Sequence, residues 1–301
     1  MLASILLFTY DHERYIERAL RSALSQDYRP LEILIWNNNS TDKTDSIIKD
    51  ILLEKPNDVS VNYHLSDQNY FPGFHPINTM MRTAKGRYLV MMSGDDASTP
   101  NRVSETVQAF KETGAGALST SSITIDEDDN EIEVYHHIDT KPEYKKMFSV
   151  WDFVNAGGSP ACSGPGLAWH RQVLSRFGAL RDGPRNADFM IPFRGAMVGG
   201  NTFIKKPLVY RRTHPSNFDL KLLREMEVDE EKKILYTERS ISNITANWVA
   251  IRADVARFGD LYPSKIDTDT LLGEIDKRIG GLVDRWVRVR HKMMMEGVGI
   301  I

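Results

Sequence analysis

The chain has 301 residues, 41% of them hydrophobic and 26% charged, with 38 basic and 41 acidic side chains for a formal net charge of −3. This balance excludes a disordered or collagen-like chain and gives nucleic acid no global basic field to bind. A single cysteine, Cys162, excludes an intramolecular disulfide and a multi-cysteine zinc site, and it fits a reducing compartment. The first apolar run, residues 2–8, is too short to span a bilayer and has no basic residue before it, so it reads as a strand. No later stretch approaches about 20 apolar residues, and the expected location is the cytoplasm.

The first half alternates strand and helix patterns. Residues 5–8 read as a buried strand. Tyr15, Ile16, Ala19, Leu20, Ala23 and Leu24 recur at helical spacing and predict an amphipathic helix that ends before Pro30. Residues 31–36 are a second buried strand. Asn37-Asn38-Asn39-Ser40 follows as a turn, and Ser40 is placed to cap a helix running through about Leu53. A third strand covers 59–65, a helix about 77–84, and a fourth strand 88–92; Pro100 opens the next helix. This alternation predicts an open, Rossmann-like, mostly parallel α/β sheet, whose ligands bind at the carboxyl ends of its strands. The polar segments there are 9–11, 37–40 and 93–98.

From about Ala117 the pattern changes. Short strands at 117–122, 166–169 and 208–212 mix with short helices and Gly/Pro-rich loops, and the small-residue loop 157–165 reads as a wall or lid. From about Phe218 to the end the chain reads as helical. Leu272, Ile275, Ile279, Leu282, Trp286, Val289 and Met293 step by three and four residues as a heptad seam. Gly280-Gly281 weakens that helix by up to about 1 kcal/mol per glycine. The stretch 277–295 holds six Lys/Arg against one Asp, a balance of 6 − 1 = +5. Three readings stand for the seam: packing within the chain, a homo-oligomer contact, or a helix lying on an anionic membrane surface.

The segment richest in chemistry is Gly86-Arg87-Tyr88-Leu89-Val90-Met91-Met92-Ser93-Gly94-Asp95-Asp96, a strand delivering two adjacent carboxylates to the sheet edge. Adjacent carboxylates repel and call for a cation or donors nearby. Hard oxygen ligands suit Mg²⁺ or Mn²⁺ bridging the phosphates of a nucleotide. A solvated turn with a helix-capping Asp is the plain alternative.

Several motifs in order resemble the family-2 glycosyltransferases. They are Ser4-Ile5-Leu6-Leu7-Phe8-Thr9-Tyr10-Asp11, the helix Tyr15 to Tyr28 with Leu31-Glu32-Ile33-Leu34-Ile35, and Asn37-Asn38-Asn39-Ser40-Thr41-Asp42. Ala84-Lys85-Gly86-Arg87-Tyr88, Gly94-Asp95-Asp96, Pro100 and Arg102 follow, then Ala187-Asp188 and Pro207 to Pro215. The resemblance covers about residues 4–217. It implies a GT-A fold, a nucleotide-sugar donor with UDP as the default, a divalent Mn²⁺ or Mg²⁺, and inversion at the anomeric carbon. The acceptor it implies is a glycan or a lipid-linked glycan in cell-surface polysaccharide synthesis, used at the inner face of the membrane. It divides the chain into a catalytic domain, 1–217, and a helical extension, 218–301. The catalytic domain has a nucleotide-binding half, about 1–116, and an acceptor half, about 117–217.

By the same resemblance Thr9 and Tyr10 hold the nucleobase, and Asn37 stands where relatives use Asp to accept a base N–H. Asp96 is the favoured metal ligand, with Asp95 bonding the ribose or sharing the metal; the opposite assignment is open. Asp188 is the general base, with the cap of the following helix as its plain role. His214 ligates the metal or touches the diphosphate. Arg211 and Arg212 are candidates to pair with phosphates, and at most one of them faces the site, since neighbours on a strand point to opposite sides. Some relatives place an Arg in the region of 69–77, where this chain has none; His75 either substitutes for it or is a plain loop histidine. The chain departs from the family pattern at Asn37, at Ser93 and at Ala187. Two further readings compete: a non-catalytic scaffold, suggested by those departures, and a sugar-nucleotidyltransferase, disfavoured because 9–14 contains no glycine.

Overall fold

The computed structural model describes residues 1–70, 74–136, 147–159, 162, 164–181, 186–215, 217, 229–259 and 267–296. The chain forms two compact units, one of Met1–Leu180 with Ile191–Arg212, the other of Arg181–Met190 with Thr213–Ile301.

The first unit is a nine-stranded sheet in the order β3-β2-β1-β4-β8-β6-β9-β5, with β7 paired to β6. Its parallel part joins β1 (Ala3–Thr9), β2 (Leu31–Asn37), β3 (Val59–Leu65) and β4 (Tyr88–Ser93). The register sets Thr9 beside Asn37 and Phe8 beside Ser93, so the predicted ligand segments end level at one edge. Helices α1 (Ile16–Leu24), α2 (Thr44–Leu53), α3 (His75–Thr83) and α4 (Arg102–Thr113) connect or flank these strands. The apolar face read from the sequence is the buried one: Ile16, Ala19, Leu20, Ala23 and Leu24 of α1 join Ile5, Leu7, Ile33 and Ile35 in one core.

Beyond β4 the sheet becomes mixed. β5 (Ala97–Ser98), β6 (Ala117–Ile125), β7 (Glu131–Tyr135), β8 (Ala168–His170) and β9 (Asn201–Arg212) complete it. β8 is antiparallel to β4 and β6, whereas β6 and β9 run parallel. Helices α5 (Val150–Ala156) and α6 (Gln172–Phe177) lie in this half. A capping box between Ser149 and Asp152 starts α5, and Gly157 in the left-handed region ends it. Helix α7 (Ala187–Gly199) carries Pro192 in its interior.

Two predicted caps move. Helix α2 begins at Thr44, so Ser40 does not cap it; the Ser40 hydroxyl accepts from the Asp11 N–H at 3.0 Å instead. Helix α4 begins at Arg102 with Asn101 as its N-cap, two residues after Pro100. The strand read at 208–212 is the end of a longer one, and the strand read at 166–169 starts later, after a 3₁₀ turn over Gly164–Gly166. Of the loop 157–165, residues 160, 161 and 163 lie outside the described residues, as do 218–228 at the predicted start of the helical extension.

The second unit is built on α8 (Glu230–Phe258) and α9 (Thr268–Glu296). These helices run antiparallel, with Arg252 paired to Asp276 at 2.5 Å and Trp286 and Arg290 both bonded to Glu238, at 2.7 and 3.1 Å. The heptad seam is the inward face of α9: Ile275 and Met293 are buried, and the residues between them are half-buried. Among the described residues no helix is long and apolar enough to cross a membrane.

Cys162 is 1% exposed, and burial pushes its thiol well above the ordinary cysteine range. Alkylating reagents should therefore leave it unmodified in the folded chain and label it only in denaturant, as intact mass would record.

Candidate functional site

Chain reversal at the sheet edge rests on short polar side chains. Asp11 and Asn39 both adopt positive φ, which Asp and Asn tolerate through local hydrogen bonds. The loops after β1 and β2 then bind each other reciprocally. Asp11 Oδ1 accepts from Thr41 N at 2.7 Å, and Asp42 Oδ2 accepts from Glu13 N at 2.9 Å. Thr44 Oγ1 accepts from His12 N at 2.9 Å, and Glu13 Oε2 accepts from Lys43 N at 3.0 Å. The two loops therefore present their side chains as one rigid rim.

Thr9 is fully buried, and its hydroxyl lies 3.2 Å from His12 Nδ1. Tyr10, the next residue, is 37% exposed, so an aromatic ring stands at the rim. Asn37 is fully buried. Its Oδ1 accepts from Ser40 N at 3.0 Å, and its Nδ2 donates to Tyr63 Oη at 3.1 Å; the Tyr63 hydroxyl donates in turn to Asp45 at 2.5 Å. Burial and the Asp45 carboxylate push the Tyr63 phenol well above its ordinary range. His75 stacks on Tyr70 at 4.2 Å, with Trp36 edge-on to both.

The turn after β4 separates its two carboxylates. Asp95 is the partly exposed member: the Ser93 hydroxyl donates to its Oδ1, and His12 Nε2 lies 3.9 Å from its Oδ2. Asp96 turns inward, is 8% exposed, and accepts from Arg212 N at 2.9 Å. Desolvation first and the Asp95 charge second push its carboxyl up to about 8. The buried Arg102 guanidinium nearby is lowered to about 10 by the same desolvation, and it donates to Ser98 and to the carbonyls of Met91 and Pro165. Gly94 makes the turn possible, because a Cβ there would stand 2.6 Å from Thr9 Cβ and 2.8 Å from His12 Nδ1.

Thr9, Tyr10, Asn37, Asp95 and Asp96 are thus gathered by the first unit at the carboxyl ends of β1, β2 and β4. His12 joins them, and the sequence reading passed over it because a loop histidine has no periodic signature. Asp188 and His214 belong to the second unit. Asp188 is half-buried and is the second residue of α7, inside its first turn. His214 is 6% exposed and donates its N–H to Asn217 Oδ1 at 2.6 Å.

Residues 4–177, more than half of the chain, match the sequence model described as Glycosyl transferase family 2. The chain belongs to that family. This family-2 chain is 24% identical over 219 residues to an uncharacterized glycosyltransferase of Nostoc sp., covering 72% of this chain and 66% of that protein. It is 31% identical over 127 residues to the UDP-Glc:alpha-D-GlcNAc-diphosphoundecaprenol beta-1,3-glucosyltransferase WfaP of Escherichia coli, covering 42% of this chain and 48% of that one. The chain therefore spans less than two thirds of the length of these curated relatives. Among solved structures it resembles S. aureus TarS 1-349 in complex with UDP, with a TM-score of 0.61 and 15% identity, covering 92% of this chain and 71% of that one. That likeness gives the fold, a GT-A arrangement with C-terminal helices.

Folding raises the Asp96 carboxyl above its unfolded value, so the stability it contributes is complete at acid pH and is lost as pH rises through about 8. Asp96→Asn keeps an oxygen for the Arg212 N–H and removes the charge. In EDTA its melting temperature should fall less than that of the unsubstituted chain between about pH 6 and about pH 9. Parallel curves would contradict the assignment.

Proposed function

We propose that this chain is an inverting glycosyltransferase that moves a sugar from a nucleotide-diphosphate donor, by default a UDP-sugar, to a lipid-linked glycan. The observation that carries the reading is the carboxylate turn at the end of β4, with Asp95 outward beside the rim formed by the loops after β1 and β2. Family membership supports the reaction class. Support for the acceptor class comes from WfaP and from a Campylobacter jejuni relative, 29% identical over 110 residues, which is named as a GalNAc(5)-diNAcBac-PP-undecaprenol beta-1,3-glucosyltransferase. An acceptor of that kind puts the chain's work at the inner face of the membrane, in the cytoplasm.

The turn suits a divalent ion that keeps an incomplete protein shell. Among the described residues no group of three or more His, Cys, Asp or Glu could hold a metal by itself. One partly exposed carboxylate with an imidazole beside it would hold Mn²⁺ or Mg²⁺ together with the donor's diphosphate. In this reading Asp95 takes the ion and Asp96 fixes the turn. The bound ion supplies charge stabilisation for the departing diphosphate. Thr9 and Tyr10 hold the base, and Asn37, bonded to Tyr63 and Ser40, shapes the floor beneath it.

Asp188 and His214 enter the reading on their motif positions. The Asp188 carboxylate accepts the proton of the acceptor hydroxyl as that oxygen forms its bond to C1 of the sugar. The bond from C1 to the diphosphate oxygen breaks on the opposite face, its electron pair leaves with the nucleoside diphosphate, and the configuration inverts. His214 contacts the diphosphate or its ion. Residues 1–217 carry the chemistry, and α8 with α9 form the extension.

Asp188→Asn should lower transfer by about 10² to 10⁴-fold, the usual worth of a positioned base, while leaving UDP binding near that of the unsubstituted chain. Radiolabel transfer from a UDP-sugar to a lipid-diphosphate glycan measures the first, and calorimetry the second. Full transfer by the variant would overturn the assignment of the base.

A further inference from the structure

We propose that Arg212 is the positioning residue of the carboxylate turn, tying it to the tip of the β6–β7 hairpin so that the two move as one piece. The inference rests on the donor-site reading above. Arg212 ends β9, and its side chain is 2% exposed. Its backbone N–H donates to Asp96 Oδ1 at 2.9 Å, and its Nε–H donates to the Asp95 carbonyl at 3.0 Å. On the other side Nη1 donates to the carbonyls of Asp126 at 2.7 Å and Glu127 at 3.2 Å, and Nη2 pairs with the Asp129 carboxylate. The guanidinium also lies over the Tyr15 ring, 4.7 Å from its centroid.

These contacts fill the fork of the guanidinium with protein acceptors on two separate loops. A phosphate ligand would have to displace them, so Arg212 acts on the site through the turn and not by touching the donor. Only a planar group with donors on both edges can span the two loops this way; a lysine ammonium donates from a single point. The hairpin tip is itself anchored to the first loop and helix, with Arg18 paired to Asp129 and Arg14 to Glu127 at 2.7 Å. Asp126 closes the tip by accepting from Asp128 N and Asn130 N, both at 2.9 Å. The direction in which Asp95 points therefore depends on contacts made in the acceptor half of the sheet. Asp129 lies at the far end of this chain of contacts, and its side chain is 45% exposed. Its carboxylate is shared between Arg212, which holds the turn, and Arg18, which lies over the Tyr210 ring.

The test uses the intact chain with Arg212→Lys and Asp129→Asn, two readouts for each. Amide hydrogen exchange without ligand reports the turn directly. Exchange at 94–97 and 126–130 should rise in both variants while β1 to β3 stay protected. Calorimetric titration with Mn²⁺ and UDP reports the consequence. Affinity should fall about tenfold in Arg212→Lys and by a smaller factor in Asp129→Asn, in the range usual for coupled sites. The double variant should lose less affinity than the sum of the two single losses, because both changes break the Arg212–Asp129 pair. An unchanged turn in both variants would overturn the proposal, as would a loosened turn that binds as before. Should Arg212→Lys fail to fold, the exposed Asp129→Asn decides the matter alone. If the unsubstituted chain binds no UDP with Mn²⁺, the donor reading falls, and the exchange data still confirm or overturn the linkage.

Discussion

Two neighbouring carboxylates at the end of a buried strand cannot both stay charged in the same surroundings. Their repulsion adds to the cost of taking each from water, and the protein resolves it by separating them. Asp96 goes inward, where a backbone N–H from β9 receives it and where burial, with the Asp95 charge, pushes its carboxyl well up from the ordinary range. Asp95 keeps partial exposure, with a hydroxyl and an imidazole around it. Most of the surrounding architecture serves this division. Gly94 lets the turn press against Thr9 and His12, Arg102 sits buried behind it, and Arg212 holds its backbone from the side.

The parallel strands make the arrangement useful. A parallel sheet brings the carboxyl ends of β1, β2 and β4 to one edge, so an exposed aromatic ring, a buried asparagine and a carboxylate turn meet without long connections. The mixed half of the sheet supplies the braces instead. β9 contributes Arg212, and the β6–β7 hairpin offers the carbonyls and the carboxylate that Arg212 grips. Rigid elements carrying a site of this kind hold its side chains more closely than free loops would. The helical hairpin of the second unit follows a different rule, with α9 turning its heptad seam inward, half-buried along most of its length, and pairing charges across to α8.

Much of this was legible in the sequence, for physical reasons that differ by element. The strand at Val59–Leu65 and the apolar face of α1 follow directly from the spacing of buried residues. The seam of α9 was equally clear as a pattern, but the pattern is the same whether the partner is another helix of the chain or a second copy; the contacts with α8 account for it. Ser40 was misread because a serine ahead of a helix can bond any nearby N–H, and the loop after β1 supplied one from Asp11. Strand β7 escaped notice because all five of its residues are exposed and carry no buried face to betray them. At the site, Asp95 and Asp96 were visible as a pair, yet which one faces outward depends on β9, more than a hundred residues away. His12 gave no local signal, and Arg212 was read as a candidate phosphate contact where it braces the turn. Their roles come from contacts that only the fold creates.

The central claim is that the outward Asp95 turn forms a metal-assisted nucleotide-diphosphate site. Its most direct test is a thermal-shift series on the intact chain and on Asp95→Asn, with UDP, GDP, dTDP, CDP and CMP, each with and without Mn²⁺. A ligand that binds only the folded state at 100 times its Kd adds about 2.7 kcal/mol of stability, well within the reach of such a measurement. The account predicts a shift with one nucleoside diphosphate that requires Mn²⁺ and is lost in Asp95→Asn. An equal shift in Asp95→Asn, or none with any nucleotide, would contradict it.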